Sequence, residues 1–171
     1  MMWPFMPGTI MVEGARISDA KALATVHADA FQHHWSMDEF LRLIENENVR
    51  ALQCRRPATW LRPASLGPKG FVLARIAADE AEILTIAVAK DARGLGIGKA
   101  LMRAIMSDLY ADRISHLFLE VDENNEAAVG LYQGLQFKEV GERKSYYSPN
   151  KGEGEENPTR PRALVMRVDL R

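Results

Sequence analysis

The residues best able to do chemistry lie in one stretch, Ile83 to Met102, ILTIAVAKDARGLGIGKALM. A strand-type run enters a turn holding Gly94, Gly96 and Gly98 and leaves it as a helix. Backbone N–H groups of such a turn, with the unpaired N–H groups of the helix's first turn, make a cradle for an anion. The helix dipole adds about half a positive charge at that end. Glycine lets a phosphate come close, because no Cβ stands in the way. Arg93 and Lys99 flank the turn with full charges. The expected guest is a phosphate or pyrophosphate.

Spacing separates the competing phosphate motifs. A P-loop needs glycine where Arg93 stands and Ser or Thr where Ala100 stands. The dinucleotide fingerprint G-x-G-x-x-G, read from Gly94, needs glycine at the position of Lys99, and reading from Gly96 fails as well. What remains is Arg-x-x-Gly-x-Gly, filled by Arg93, Gly96 and Gly98. The plain alternative is a flexible loop ahead of a surface helix.

Other elements must position this turn. Thr9 to Glu13 is a short β-type run, and Ser18 or Asp19 offers an N-cap for a helix over Ala20 to Phe31. Ser36-Met37-Asp38-Glu39 has the form of a capping box and opens a second helix. Val49 to Cys54 reads as a strand, and the proline-rich residues 55–70 as a loop. Phe71 to Ile76 and Glu82 to Val88 read as two strands of a hairpin turning within Ala77 to Ala81. The helix behind the glycines runs to about Tyr110, with Leu101, Ala104, Ile105 and Leu109 on one face. His116 to Val121 is a buried-type strand, with Leu117, Leu119 and Val121 on one side and Phe118 and Glu120 on the other. A helix opened by Asn124-Asn125 ends near Leu135, and strands follow at Phe137 to Glu142 and Ala163 to Val168, separated by a polar loop over Ser148 to Pro161. The mixture predicts an α/β fold, a central sheet with helices on both faces.

Composition bounds the possibilities. With 171 residues, one domain is expected, and a single core suffices without disulfides or structural metal. The 22 Lys+Arg against 23 Asp+Glu leave no electrostatic footprint for nucleic acid. The lone Cys54 cannot form an internal disulfide, and no metal-ligand spacing links His27, His33, His34 and His116, so no metal is expected and a reducing cytoplasm fits best. No run approaches the roughly 18 apolar residues that cross a bilayer, so no membrane partner is expected. Residues 1–8 read as a frayed leader.

At this point the chain resembles the GNAT superfamily of acetyl-CoA-dependent N-acetyltransferases, whose motif is [Arg/Gln]-x-x-Gly-x-[Gly/Ala]. The resemblance continues through Leu119-Glu120-Val121, Asn125 to Tyr132 and Leu135-Gln136-Phe137. With Trp35-Ser36 and the pair Tyr146-Tyr147, it is most similar to the RimI branch, the ribosomal-protein N-terminal alanine acetyltransferases. The likeness is strongest over residues 82–147. Gly94-Leu95 and Gln136 depart from the branch pattern, the latter standing where the common ending has glycine, and the loops at 55–70 and 148–161 look long. The resemblance implies a twisted, mostly antiparallel sheet of six or seven strands, about four helices and splayed parallel central strands.

The same resemblance implies residue roles. Backbone of Ile86, Ala87 and Val88 would hold the pantetheine arm of acetyl-CoA, and Arg93, Gly94, Gly96, Gly98, Lys99 and Ala100 its pyrophosphate. Glu120 would be the base that takes the amine's proton, and Tyr132 the acid that protonates the leaving thiolate. A carboxylate in a largely apolar strand would be desolvated, which suits a base at neutral pH. The plain readings are a solvated strand end for Glu120 and a core aromatic for Tyr132. Asn125 is equally a helix cap or a cofactor contact. Cys54 reads as core packing, which favours direct transfer in a ternary complex.

An α-amine titrates near ~7.8 and a lysine amine near ~10.4, a gap of about 3.5 kcal/mol. A protein N-terminus, such as that of a ribosomal protein, is therefore the easier acceptor. Trp35, Tyr146 and Tyr147 would line its groove, the enzyme acting as a monomer or weak homodimer. A small-molecule amine acetyltransferase and a non-catalytic acyl-CoA-binding module are the alternatives.

Overall fold

The structure, a computed structural model, describes residues 10–58, 61, 63–143 and 162–171. Its strands are β1 (Val12–Gly14), β2 (Val49–Arg55), β3 (Pro68–Ala77), β4 (Glu80–Val88), β5 (His116–Asp122), β6 (Lys138–Arg143) and β7 (Ala163–Asp169). They form one sheet in the order β1-β2-β3-β4-β5-β7-β6. The helices are α1 (Ala20–Ala30), α2 (Met37–Glu45), α3 (Ile97–Ala111) and α4 (Glu126–Gly134). Neighbouring strands are antiparallel except β4 and β5, which run parallel. The fifteen residues of α3 make that crossover, as a parallel pair requires.

Each face of the sheet carries its own apolar core. On one face Val72, Ala74, Leu117, Leu119 and Val121 pack against Ile97, Leu101, Ile105 and Leu109 of α3 and Tyr132 of α4. On the other, Phe71, Leu73 and Ala87 meet Leu23 and Val26 of α1 and Phe40 of α2. Strand β3 serves both by simple alternation. The expected two-sided sheet is what forms.

Two irregularities open the sheet where chemistry is expected. The β4–β5 ladder holds only Glu80↔His116, Ala81↔Leu117 and Glu82↔Phe118, and then stops. Immediately beyond, Leu73 pairs with Thr85 and Ala74 with Ile83, so Leu84 is an extra residue on β4. Such a bulge bends its strand and increases local twist, which carries the rest of β4 away from β5. The result is a wedge between two parallel strands.

Several local features follow the sequence. Ser36 Oγ accepts from Glu39 N–H at 3.3 Å while the Glu39 carboxylate accepts from Ser36 N–H at 2.6 Å, a reciprocal capping box. Asp19 occupies the N-cap of α1, yet its carboxylate binds the Arg16 N–H and Gln53 Nε2 instead of capping. Strand β3 starts earlier than expected, at Pro68, because proline as the first strand residue sacrifices no ladder donor. The hairpin turn is Ala78-Asp79, with Ala78 at φ 56°. A short helical turn over Lys90–Ala92, unforeseen, links β4 to the glycines. The 1–8 leader and the 148–161 loop lie outside the described residues.

Candidate active site

The glycine turn has the conformation that a phosphate cradle needs. Gly94 and Gly96 have φ of 75° and 83°, the left-handed region where a Cβ is strained. Gly96 is the N-cap of α3 and supplies no side-chain acceptor. The first helical bond runs from Ala100 N–H to Gly96 O at 3.0 Å. The N–H groups of Ile97, Gly98 and Lys99 therefore have no intrahelical acceptor. Ala100, grouped with the cradle from the sequence, spends its N–H inside the helix and so marks the cradle's boundary.

Two glycines at the start of α3 do different jobs. A Cβ on Gly70 of β3 would sit 2.7 Å from Ile97 Cγ2, so this glycine lets α3 settle on the sheet. A Cβ on Gly98 would meet only ordinary contacts, 3.6 Å from Leu131 and 3.9 Å from Val88. The fold does not demand glycine at 98. Bare backbone there leaves space for a guest. Gly70 went unnoticed as a packing residue, although a lone glycine in a strand signals close approach.

Side chains tie the turn to the sheet. Arg93 Nε donates to Val88 O at 3.1 Å, closing the turn onto the end of β4. Lys90 N–H donates to Asp29 of α1 at 2.8 Å, and Lys69 of β3 pairs with Asp91 at 3.0 Å. Lys99 is exposed beside the cradle. Upstream, Ile86, Ala87 and Val88 pair with Val72, Phe71 and Gly70 along one edge. Their other edge faces the wedge, where no ladder to β5 exists. An extended amide-bearing chain could add there as a strand would.

The two expected proton-transfer groups sit on either side of β5. Its side chains alternate as expected, with Leu117, Leu119 and Val121 buried. Glu120 points to the opposite face and is exposed, so the expectation of a desolvated carboxylate is not met. With Phe118, Glu82 and Val165 it borders an open cleft of about 290 Å³ at the foot of the wedge. Tyr132 is buried at 5% exposure in the α3/α4 core, and burial pushes its phenol up to about 12.

A helix-ending motif holds Tyr132 in place. Phe137 N–H donates to Tyr132 O and Gln136 N–H to Gln133 O, both at 3.0 Å, with Gln136 at φ 70°. This is a Schellman closure, and its usual apolar contact is the Tyr132–Phe137 ring pair, 5.8 Å between centroids. Gln136 thus occupies a left-handed position where glycine would be relaxed.

The remaining candidates separate. Asn125 caps α4, its Oδ1 accepting from Ala128 N–H at 3.2 Å. Trp35 is half-buried on the α1/α2 side, its ring stacked on His27 at 5.0 Å between centroids, and its backbone N–H donates to His27 Nδ1 at 3.1 Å. Burial lowers the His27 pKa, and proximity to His34 lowers it further. Cys54 is fully buried and burial pushes its thiol up to about 11, which leaves no thiolate at neutral pH. Tyr146 and Tyr147 lie outside the described residues. Among the described residues no three His, Cys, Asp or Glu side chains are grouped to hold a metal ion, and no helix is long and apolar enough to cross a membrane.

The sheet is thus split between two parallel strands, with a glycine-capped helix at the top of the split. Residues 20–137 match the Acetyltransferase (GNAT) family, and the chain belongs to it. Among individual proteins, it is 35% identical over 100 residues to the [ribosomal protein bS18]-alanine N-acetyltransferase of Escherichia coli K12. That alignment covers 58% of this chain and 63% of the relative. The fold is shared with the crystal structure of the ribosomal-protein-S18-alanine N-acetyltransferase from Escherichia coli, at a TM-score of 0.77 and 24% identity over 95% of this chain and 94% of that one. It is also shared with Arabidopsis thaliana NAA60 in complex with acetyl-CoA, at a TM-score of 0.75 and 21% identity over 94% and 98%.

Proposed function

We propose that this chain is an acetyl-CoA-dependent N-acetyltransferase, one catalytic domain over its 171 residues, that modifies the N-terminal α-amine of a protein. The observation that carries this reading is the wedge itself: an open β4 edge leads directly into a helix start with unclaimed N–H groups and bare Gly98. A thioester on an amide-bearing arm and a pyrophosphate fit that sequence of donors. Ile86, Ala87 and Val88 hold the arm, and Arg93, Gly94, Gly96, Gly98 and Lys99 the pyrophosphate, with Ala100 and Asn125 at the margins. The relationship to bS18-alanine acetyltransferases supports a ribosomal protein as acceptor. A buried lone cysteine and this acceptor fit the cytoplasm.

Transfer is direct, within a ternary complex. The amine forms its N–C bond to the acetyl carbon as the C–S bond breaks. Glu120, exposed at the cleft, receives the amine's proton directly or through water. Tyr132 stays protonated at neutral pH because burial pushes it to about 12, so it has a proton to give the thiolate. The buried high thiol of Cys54 supports direct attack over an acetyl-cysteine. Trp35 is assigned to the acceptor, and so are Tyr146 and Tyr147, which lie outside the described residues.

The test is acetyl transfer to a peptide beginning with alanine, read by mass. Acetylation at its α-amine is expected. Turnover of polyamines or free amino acids with none on peptides would replace this acceptor by a small molecule. A melting shift with acetyl-CoA but no transfer to any amine would reduce the chain to a binding module; saturation at 100 times Kd is worth about 2.7 kcal/mol. Tyr132→Phe should lower kcat roughly a hundredfold while acetyl-CoA affinity holds.

A further inference from the structure

Five side-chain polar atoms among the described residues are buried without a partner: Arg50 Nε, Gln53 Oε1, Arg56 Nε and Nη1, and Thr85 Oγ1. Arg50 and Gln53 use their other polar atoms, toward Asp112 and Asp19. Arg56 follows β2, with the whole of β3 between that strand and β4. Thr85 differs from all of these. Its only side-chain polar atom is the unpartnered one, the residue is 8% exposed, and it sits in β4 at the bulge. An unpaired buried hydroxyl is costly and calls for an explanation.

Register fixes the direction of this hydroxyl. Thr85 pairs with Leu73, and paired residues share a face, so Thr85 points to the α1/α2 side. Leu84, the extra residue, packs on that same side. Glu120 also leaves β5 on that side, opposite the buried Leu119 and Val121. Counting on from the last ladder pair, Glu82↔Phe118, puts Glu120 level with Leu84, across the wedge from Thr85. Without the bulge, the alternation that points Ala81 and Ile83 at the α3/α4 core would send position 85 there too.

We propose that Thr85 is an acceptor-binding residue whose hydroxyl hydrogen-bonds the backbone of the acceptor's first residue beside the amine that is acetylated. The inference rests on the acetyltransferase reading above. It adds one specific polar contact beside Leu73, Leu84 and Ala87, the apolar residues that cluster on the α1/α2 side of the sheet. The hydroxyl is unsatisfied in the free protein because its partner arrives with the substrate. A site built around such a group discriminates strongly against acceptors that cannot pair with it.

The test compares Thr85→Val, which keeps the branched shape and removes the hydroxyl, with Thr85→Ser, which keeps the hydroxyl. Thermal melting and steady-state kinetics on an alanine-starting peptide are measured for both and for the unmodified chain. Expected are an unchanged or higher Tm for Thr85→Val, a peptide KM raised about tenfold, unchanged kcat and acetyl-CoA KM, and recovery of the peptide KM in Thr85→Ser. A lowered Tm for Thr85→Val would show a hydroxyl already bonded within the fold and overturn the proposal. An active unmodified chain whose peptide KM ignores Thr85→Val, or whose two KM values rise together, would overturn it and leave the acetyltransferase reading standing. No transfer to any α-amine by the unmodified chain would overturn that reading and this proposal with it.

Discussion

Helices α3 and α4 both follow strands of the wedge, yet their first turns are closed in opposite ways. Asn125 caps α4 with its own side chain, and Gln136 closes the other end in a left-handed turn. Helix α3 starts at Gly96, with no side-chain cap, on backbone that only glycine adopts without strain. A glycine N-cap is weaker than an asparagine one by only about a few tenths of a kcal/mol, so α3 forgoes little stability by leaving its first turn without a side-chain acceptor. A helix start left open in this way can serve a ligand; one filled by its own asparagine is committed to the fold. The two glycines beneath and beside α3 divide similarly, Gly70 belonging to packing and Gly98 to open space.

Substitutions at four positions break or sharpen this contrast. The largest effect is expected from Gly98→Leu. Leucine is a better helix former than glycine by about 1 kcal/mol and its Cβ meets only ordinary contacts, so Tm should hold, while acetyl-CoA affinity falls more than about tenfold because its side chain, unlike the alanine that the motif also admits, fills the approach of the pyrophosphate. Calorimetric titration with acetyl-CoA and thermal melting check both halves; unchanged affinity would make Gly98 merely tolerated. Gly70→Ala should do the reverse. Its methyl would press on Ile97, destabilising by about 1–3 kcal/mol in denaturant unfolding, with affinity changed only through displacement of α3.

Asn125→Ala should lower stability by about 1 kcal/mol, and Asn125→Asp should restore it, since aspartate caps equally well. If affinity for acetyl-CoA also fell in the alanine variant at full folding, the cap would be shared with the ligand. The smallest change is expected from Gln136→Gly. Relief of the left-handed backbone, about 1–2 kcal/mol, is partly cancelled by glycine's greater freedom in the unfolded chain. A Tm gain of a few degrees would mark Gln136 as a strained closure. A loss would mean that its side chain supports the Tyr132 turn.

Much of the fold was legible because its signals are local. The Ser36–Glu39 box, the Asn125 cap and the alternation along β5 each depend on residues within one turn or one strand, where spacing fixes geometry. The glycine turn was legible for the same reason: three glycines within five residues between a strand and a helix mark backbone that takes left-handed conformations or admits a close approach. The exposure of Glu120 was not. Its neighbours in sequence are apolar, but whether that face of β5 is covered depends on α1 and α2, which cover β3 and the far end of β4 instead. The bulge at Leu84 was hidden too, since nothing in the run Glu82 to Val88 names an extra residue; it appears only against β3.

The sequence by itself determined the element types, the two caps, the phosphate-type turn and the family. Each of these rests on short-range backbone preference or on a motif of fixed spacing. Only the tertiary structure decided the strand order, the point where β4 and β5 part, the packing role of Gly70 and the orphaned hydroxyl of Thr85. Those are settled by contacts between segments far apart in the chain, where free energy depends on which surfaces meet and no local pattern specifies the meeting.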